Sequence, residues 1–186
     1  MNREIRASMR VENNQSGFTM VEMLVTIAIF VLIMGMSVGG YDRMRRQAWS
    51  HQCASNLRHL GAALNLYMGD HNLIFPTLAP ARDDKNDDEK PTLDTVLMEY
   101  VNSEDAFRCP SDHDGHWEKS GCSYFWNSLV NGQSLGSMSF MGLTSNEAGI
   151  PLIADKENFH KSIGDEVNIL YADGHVVSEL QFIIDR

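Results

Sequence analysis

Proline, basic residues and cysteine are all scarce in this chain, and each scarcity narrows what it can be. No proline precedes Pro76, so nothing of that kind interrupts a helix in the first part of the chain. Lys and Arg number 15 against 25 Asp and Glu, a formal charge of −10. The basic residues form no cluster beyond Arg43, Arg45 and Arg46, so the electrostatic footprint of a nucleic-acid binder is missing and no nucleic-acid partner is expected. Three cysteines, Cys53, Cys109 and Cys122, are an odd number that leaves one thiol over if two pair in an oxidising compartment. Serine nucleophile elbows, HExxH helices and glycine-rich phosphate loops are absent. His160, Asp155, Asp173 and His175 near the C-terminal strands hold acid–base groups without any such motif, so an enzyme is not expected.

What the chain does have is a long apolar run, "SGFTMVEMLVTIAIFVLIMGMSVGG" at residues 16–40. Between residues 18 and 41 the only charged side chain is Glu22. At about 1.5 Å per helical residue this stretch covers a hydrocarbon core of about 30 Å and can span a membrane once. A carboxylate within such a run is expensive unless it has a partner, which makes Glu22 a functional residue by default. The preceding "MNREIRASMRVENNQSG" is polar and carries Arg3, Arg6 and Arg10, in the manner of a leader or cytoplasmic flank. The small-residue pair Ser16-Gly17 precedes the apolar core instead of following it, so cleavage there releases a leader and keeps the membrane helix.

"GFTMVEML", residues 17–24, resembles the processing site of type IV pilins and type II secretion pseudopilins. The resemblance implies cleavage after Gly17 by a prepilin peptidase, N-methylation of Phe18 by the same enzyme, and a role for Glu22 in assembly. The partners it implies are that peptidase and methyltransferase, other copies or related pilin-like subunits, and an inner-membrane assembly platform. Residues 1–17 are then the leader, 18–41 the transmembrane half of a helix, and 42–186 a globular domain that includes the helix's amphipathic second half. Three Arg flank the apolar run on either side, so charge counting leaves orientation open. The resemblance puts the C-terminal domain in the periplasm or outside the cell, with a single inner-membrane span before assembly.

Beyond Gly40 the pattern turns amphipathic. Met44, Ala48, Trp49, Cys53, Leu57, Leu60, Leu64, Tyr67 and Met68 recur at spacings of three and four, predicting one buried stripe on a helix running from about residue 18 to about residue 68. Gly69 suits a position just past the helix end and Pro76 forbids continuation. Residues 82–91, "RDDKNDDEKP", read as a solvated loop, and residues 92–101 as a short helix with Thr92 as N-cap. "GIPLIAD" (149–155) and "VNILYADGHVVSELQFII" (167–184) read as strands, the second folded back on itself at residues 172–175. The fold class is α+β: a long N-terminal helix packed on a small antiparallel sheet of three or four strands, as in pilins.

"NLRHLGAALNLYMGDHNLIFP", "FRCPSD", "CSYFWN" and "ADGHV" follow in the order seen in pilin-like proteins with a C-terminal His-to-Asp-Gly motif, which this chain resembles from Gly17 to about Val177. His160 matches the motif's histidine at a longer interval before Asp173 than is usual there. Residue types in the domain leave its chemistry open. Cys109 and Cys122 are expected to form a disulfide, with a two-Cys, two-His zinc site through His113 and His116, or free thiols, as alternatives. Cys53 reads as a small core residue. "SDHDGH" carries part of a calcium-loop pattern, Asp112 and Asp114, which needs Asp155 or Asp173 to complete the oxygen set. Otherwise no cofactor is expected. Two functions are compatible with these readings: a prepilin-like subunit of a secretion pseudopilus or type IV pilus-like filament, or a membrane-anchored extracytoplasmic module that binds calcium or zinc and never polymerises.

Overall fold

The computed structural model describes residues 17–87, 89–140, 142, 145–161, 164 and 167–178, with residues 36–39 described as backbone only. The expected leader, apart from Gly17, and the end of the last expected strand, 179–184, lie outside the described residues. The chain divides into two units, one up to Tyr41 and the other from Asp42 onward.

The first helix, α1, spans Met20–Asp70. Its early apolar side chains are exposed, from Met20 at 89% to Met34 at 64%. No single helix among the described residues is by itself long and apolar enough to cross a membrane; the stretches Met20–Gly35 and Gly40–Asp70 meet that test only together. In the second unit Cys53, Leu57, Leu60, Leu64 and Met68 are buried, as their spacing predicts. Met44, by contrast, is exposed, so the buried stripe starts later than expected. The helix also ends later: Gly69 lies within it, and the left-handed residues past its end are Asn72 and Leu73. The Leu73 N–H donates to the Met68 carbonyl at 2.8 Å, closing the last turn.

Helix α2 spans Leu93–Val101, where Leu93 and Leu97 face the core. Thr92 precedes it, with its backbone N–H donating to Thr95 Oγ1 at 2.8 Å and its hydroxyl to Asp94 Oδ1 at 2.7 Å. A one-turn helix, α3, spans His116–Ser120. The sheet has four antiparallel strands in the order β1-β2-β3-β4: Tyr124–Trp126, Pro151–Asp155, Ile169–Tyr171 and Val176–Val177. The β3–β4 hairpin turns through Gly174 at φ +88°, where a side chain would be strained. β1 has no counterpart in the strand expectations, because three residues are too short for a period-two pattern to register.

The sheet's inner side meets α1 in one core that joins Leu57, Leu60 and Leu64 to Tyr124, Trp126, Ile153 and Leu170. At Gly61 the helix lies close against the sheet: an added Cβ would stand 3.0 Å from Leu170 Cδ2. This α+β arrangement, a helix followed by a small antiparallel sheet, is pilin-like.

Candidate functional site

At the N-terminal end, residues 17–19 are not helical and α1 begins at Met20. Nothing lies within 4 Å of where a Gly17 Cβ would be, and Phe18 is 78% exposed. The Thr19-x-x-Glu22 sequence forms a reciprocal capping box: the Thr19 N–H donates to Glu22 Oε2 at 2.9 Å, and the Glu22 N–H to Thr19 Oγ1 at 3.2 Å. The Thr19 hydroxyl adds a second bond to Glu22 Oε2 at 2.9 Å. Glu22 thus has a partner within its own chain, which its spacing to Thr19 advertises and the sequence reading passed over.

In the second unit the cysteines pair differently from the expectation. The disulfide joins Cys53 to Cys109, and Cys122 is a buried free thiol. Spacing suggested Cys109 with Cys122, thirteen positions apart, but α1 carries Cys53 against the segment after α2, and that proximity is invisible in sequence. Cys53 is therefore a cross-link and not just a core filler. Burial pushes the Cys122 thiol up to about 12, against an opposing hydrogen bond from the Tyr124 N–H. The zinc alternative through Cys109, His113, His116 and Cys122 is likewise not assembled. His113 is exposed with its ring 5.7 Å from that of Trp49, and His116 Nε2 sits 3.1 Å from Glu157 Oε1.

The four aspartates considered for calcium are not brought together among the described residues. Asp112 caps α3, accepting from the His116 and Trp117 N–H groups at 3.1 and 2.9 Å and from the Ser123 hydroxyl at 2.6 Å. Burial raises its pKa, but these three bonds outweigh it and the net shift is downward. Asp173 accepts from the His175 N–H in the β3–β4 turn at 3.0 Å. Asp114 is exposed beside His116 and Glu157.

Asp155 and His160, by contrast, do meet. Asp155 closes β2 and His160 follows it in the next loop, with Asp155 Oδ2 lying 3.5 Å from His160 Nε2, both side chains almost fully buried. Asp155 Oδ2 also accepts from the Asn168 N–H at 2.8 Å and Nδ2 at 3.1 Å. Burial pushes the Asp155 carboxyl up to about 7 in spite of these bonds.

Residues 13–38 match the family model of a prokaryotic N-terminal methylation motif. The matched stretch brackets Gly17, Phe18 and Glu22, and in this the N-terminal segment is similar to that of prepilins. No curated protein and no solved structure matches the chain.

Proposed function

We propose that this chain is a prepilin-like structural subunit, cut after Gly17, N-methylated at Phe18, and assembled with other pilin-like subunits into a secretion pseudopilus or type IV pilus-like filament. The observation that carries the reading is the form of the motif. A protease needs an extended, accessible backbone, and supporting this are the non-helical residues 17–19, the bare Gly17 and the exposed Phe18. The capping box starts α1 at Met20, two residues past the scissile bond, so helix and cleavage site do not compete for the same backbone. The exposed apolar side chains from Met20 to Met34 need a covering, first lipid and then the helices of neighbouring subunits. The fold behind them, a buried helical stripe sealed by a four-stranded sheet, is the pilin-like arrangement expected of such a subunit.

The test is the intact mass of the protein recovered from membranes of a host carrying a prepilin peptidase. The expected product starts at a methylated Phe18. In Gly17→Val the side chain fills the space beside the scissile bond and the full-length precursor accumulates. Maturation of that variant to a chain starting at Phe18 overturns the reading.

A further inference from the structure

Cys53, Cys109, Asp155 and His160 place four metal-ligating atoms within 4.8 Å of one another in the interior of the second unit. They come from α1, from the segment after α2, from the end of β2 and from the loop beyond it, so only the folded chain assembles them. All four residues are almost fully buried, Asp155 being the most exposed at 4%.

We propose that the reduced form of this cluster is a site for a thiophilic divalent cation, zinc above all, held by two thiolates, one imidazole and one carboxylate. Two measured separations fit. Cys109 Sγ lies 3.6 Å from His160 Nε2, and His160 Nε2 lies 3.5 Å from Asp155 Oδ2. Bond lengths of about 2.3 Å to sulfur and about 2.0–2.2 Å to nitrogen and oxygen, at tetrahedral angles, put the corresponding ligand atoms about 3.5 Å and about 3.3 Å apart. Asp155 Oδ1 has no hydrogen-bond partner among the described residues although it is buried, while Oδ2 is held by Asn168. The ligand oxygen is Oδ2, 3.5 Å from His160 Nε2, and a cation on the carboxylate also lowers the cost of its unpaired, buried Oδ1. Two thiolates and a carboxylate around a dication leave one negative charge. Arg46 and Lys161 line a cavity of about 290 Å³ that reaches His160 and carry charge of the opposite sign.

The disulfide and the metal site are then two states of the same sulfurs. The oxidised state has the Cys53–Cys109 bond. A dithiol reductant breaks it: its two thiols supply two electrons and two protons, leaving two protein thiols and the reductant's own disulfide. Zinc binding to the two thiols then releases two protons and forms two Zn–S bonds. Reoxidation by a small-molecule disulfide, which accepts the two electrons and with two protons from water becomes two thiols, re-forms the Cys53–Cys109 bond and expels the ion. This inference is independent of the prepilin reading, since it concerns the domain alone.

The experiment uses the full chain in detergent, with Co²⁺ and then Zn²⁺ as the probes. A phosphine reduces the disulfide and becomes its oxide, with water supplying the oxygen, and excess reductant is removed before titration. The expected result is one Co²⁺ per reduced chain with intense tetrahedral bands and thiolate-to-cobalt charge-transfer absorption, displaced by Zn²⁺. The oxidised chain shows neither. His160→Ala and Asp155→Asn each weaken Co²⁺ binding at least about tenfold. The double variant Cys53→Ser/Cys109→Ser abolishes the charge-transfer band, each single variant lowers it, and Cys122→Ser retains it. Absence of Co²⁺ uptake by the reduced chain, equal uptake by the oxidised chain, or a charge-transfer band that survives loss of Cys53 and Cys109 overturns the proposal. The comparison of the two redox forms needs no substitution and decides the matter even if a variant fails to fold.

Discussion

Arg82 and Asp94 form an ion pair inside the domain, each side chain only 6% exposed. Arg82 comes from the loop before α2 and Asp94 from the first turn of α2, and Arg82 Nε also donates to the Ser120 carbonyl at 2.9 Å. The pair therefore ties the acidic loop to α2 and to the end of α3. Removing Asp94 takes from the buried Arg82 a carboxylate partner, so Asp94→Ala is expected to destabilise by about 3 kcal/mol. Replacing both partners by leucine is expected to cost less than the single change. Denaturant unfolding of the three variants and the parent chain measures this, and a double variant no better than Asp94→Ala contradicts it.

At Gly61 the backbone of α1 packs directly on a sheet side chain. Its added Cβ would meet both Leu170 methyls, at 3.0 and 3.3 Å, and the core around them is already full. Gly61→Val is expected to lower stability by about 1–3 kcal/mol through overpacking, in spite of removing a helical glycine. Combining it with Leu170→Ala should recover part of the loss, measured as a shift in thermal midpoint.

Cysteine chemistry gives a direct check on tertiary placement. Non-reducing peptide mapping should recover Cys53 linked to Cys109 with Cys122 as a free thiol. Burial pushes that thiol up to about 12, so below that pH it stays neutral and unreactive while the domain is folded. The native chain at pH 8 should resist iodoacetamide, and added denaturant should produce a single rapid alkylation at Cys122. Fast labelling without denaturant would show that the thiol is accessible.

For Glu22 the capping box and a contact between subunits make separable demands. On the proposed reading, cleavage gives Phe18 a new α-amine, and in a staggered bundle the amine of one subunit lies beside Glu22 of the next. Gln also serves at this capping position, so Glu22→Gln removes the charge while keeping the cap. Thr19→Val removes the hydroxyl and keeps the charge. The expected outcome is normal processing in both variants, with loss of sheared filaments or secretion only in Glu22→Gln. If Thr19→Val abolishes assembly and Glu22→Gln does not, the cap and not the charge is what Glu22 provides.

The sequence alone determined the N-terminal segment and the broad α+β plan. The N-terminal methylation motif and an apolar run are contiguous in the chain, and the three-and-four spacing of Cys53, Leu57, Leu60, Leu64 and Met68 is a local property of one helix. The hairpin at residues 172–175 and the start of α2 after Thr92 were legible for the same reason, since turns and caps are written within a few residues. Tertiary structure decided which cysteines meet, because the packing of α1 against a segment more than fifty positions away leaves no periodic trace. It also decided that Asp112 caps a helix while Asp155 is buried against His160. Both are buried aspartates in short polar stretches, and the partners that the fold sets beside each one tell them apart: the first N–H groups of α3 for Asp112, Asn168 and His160 for Asp155.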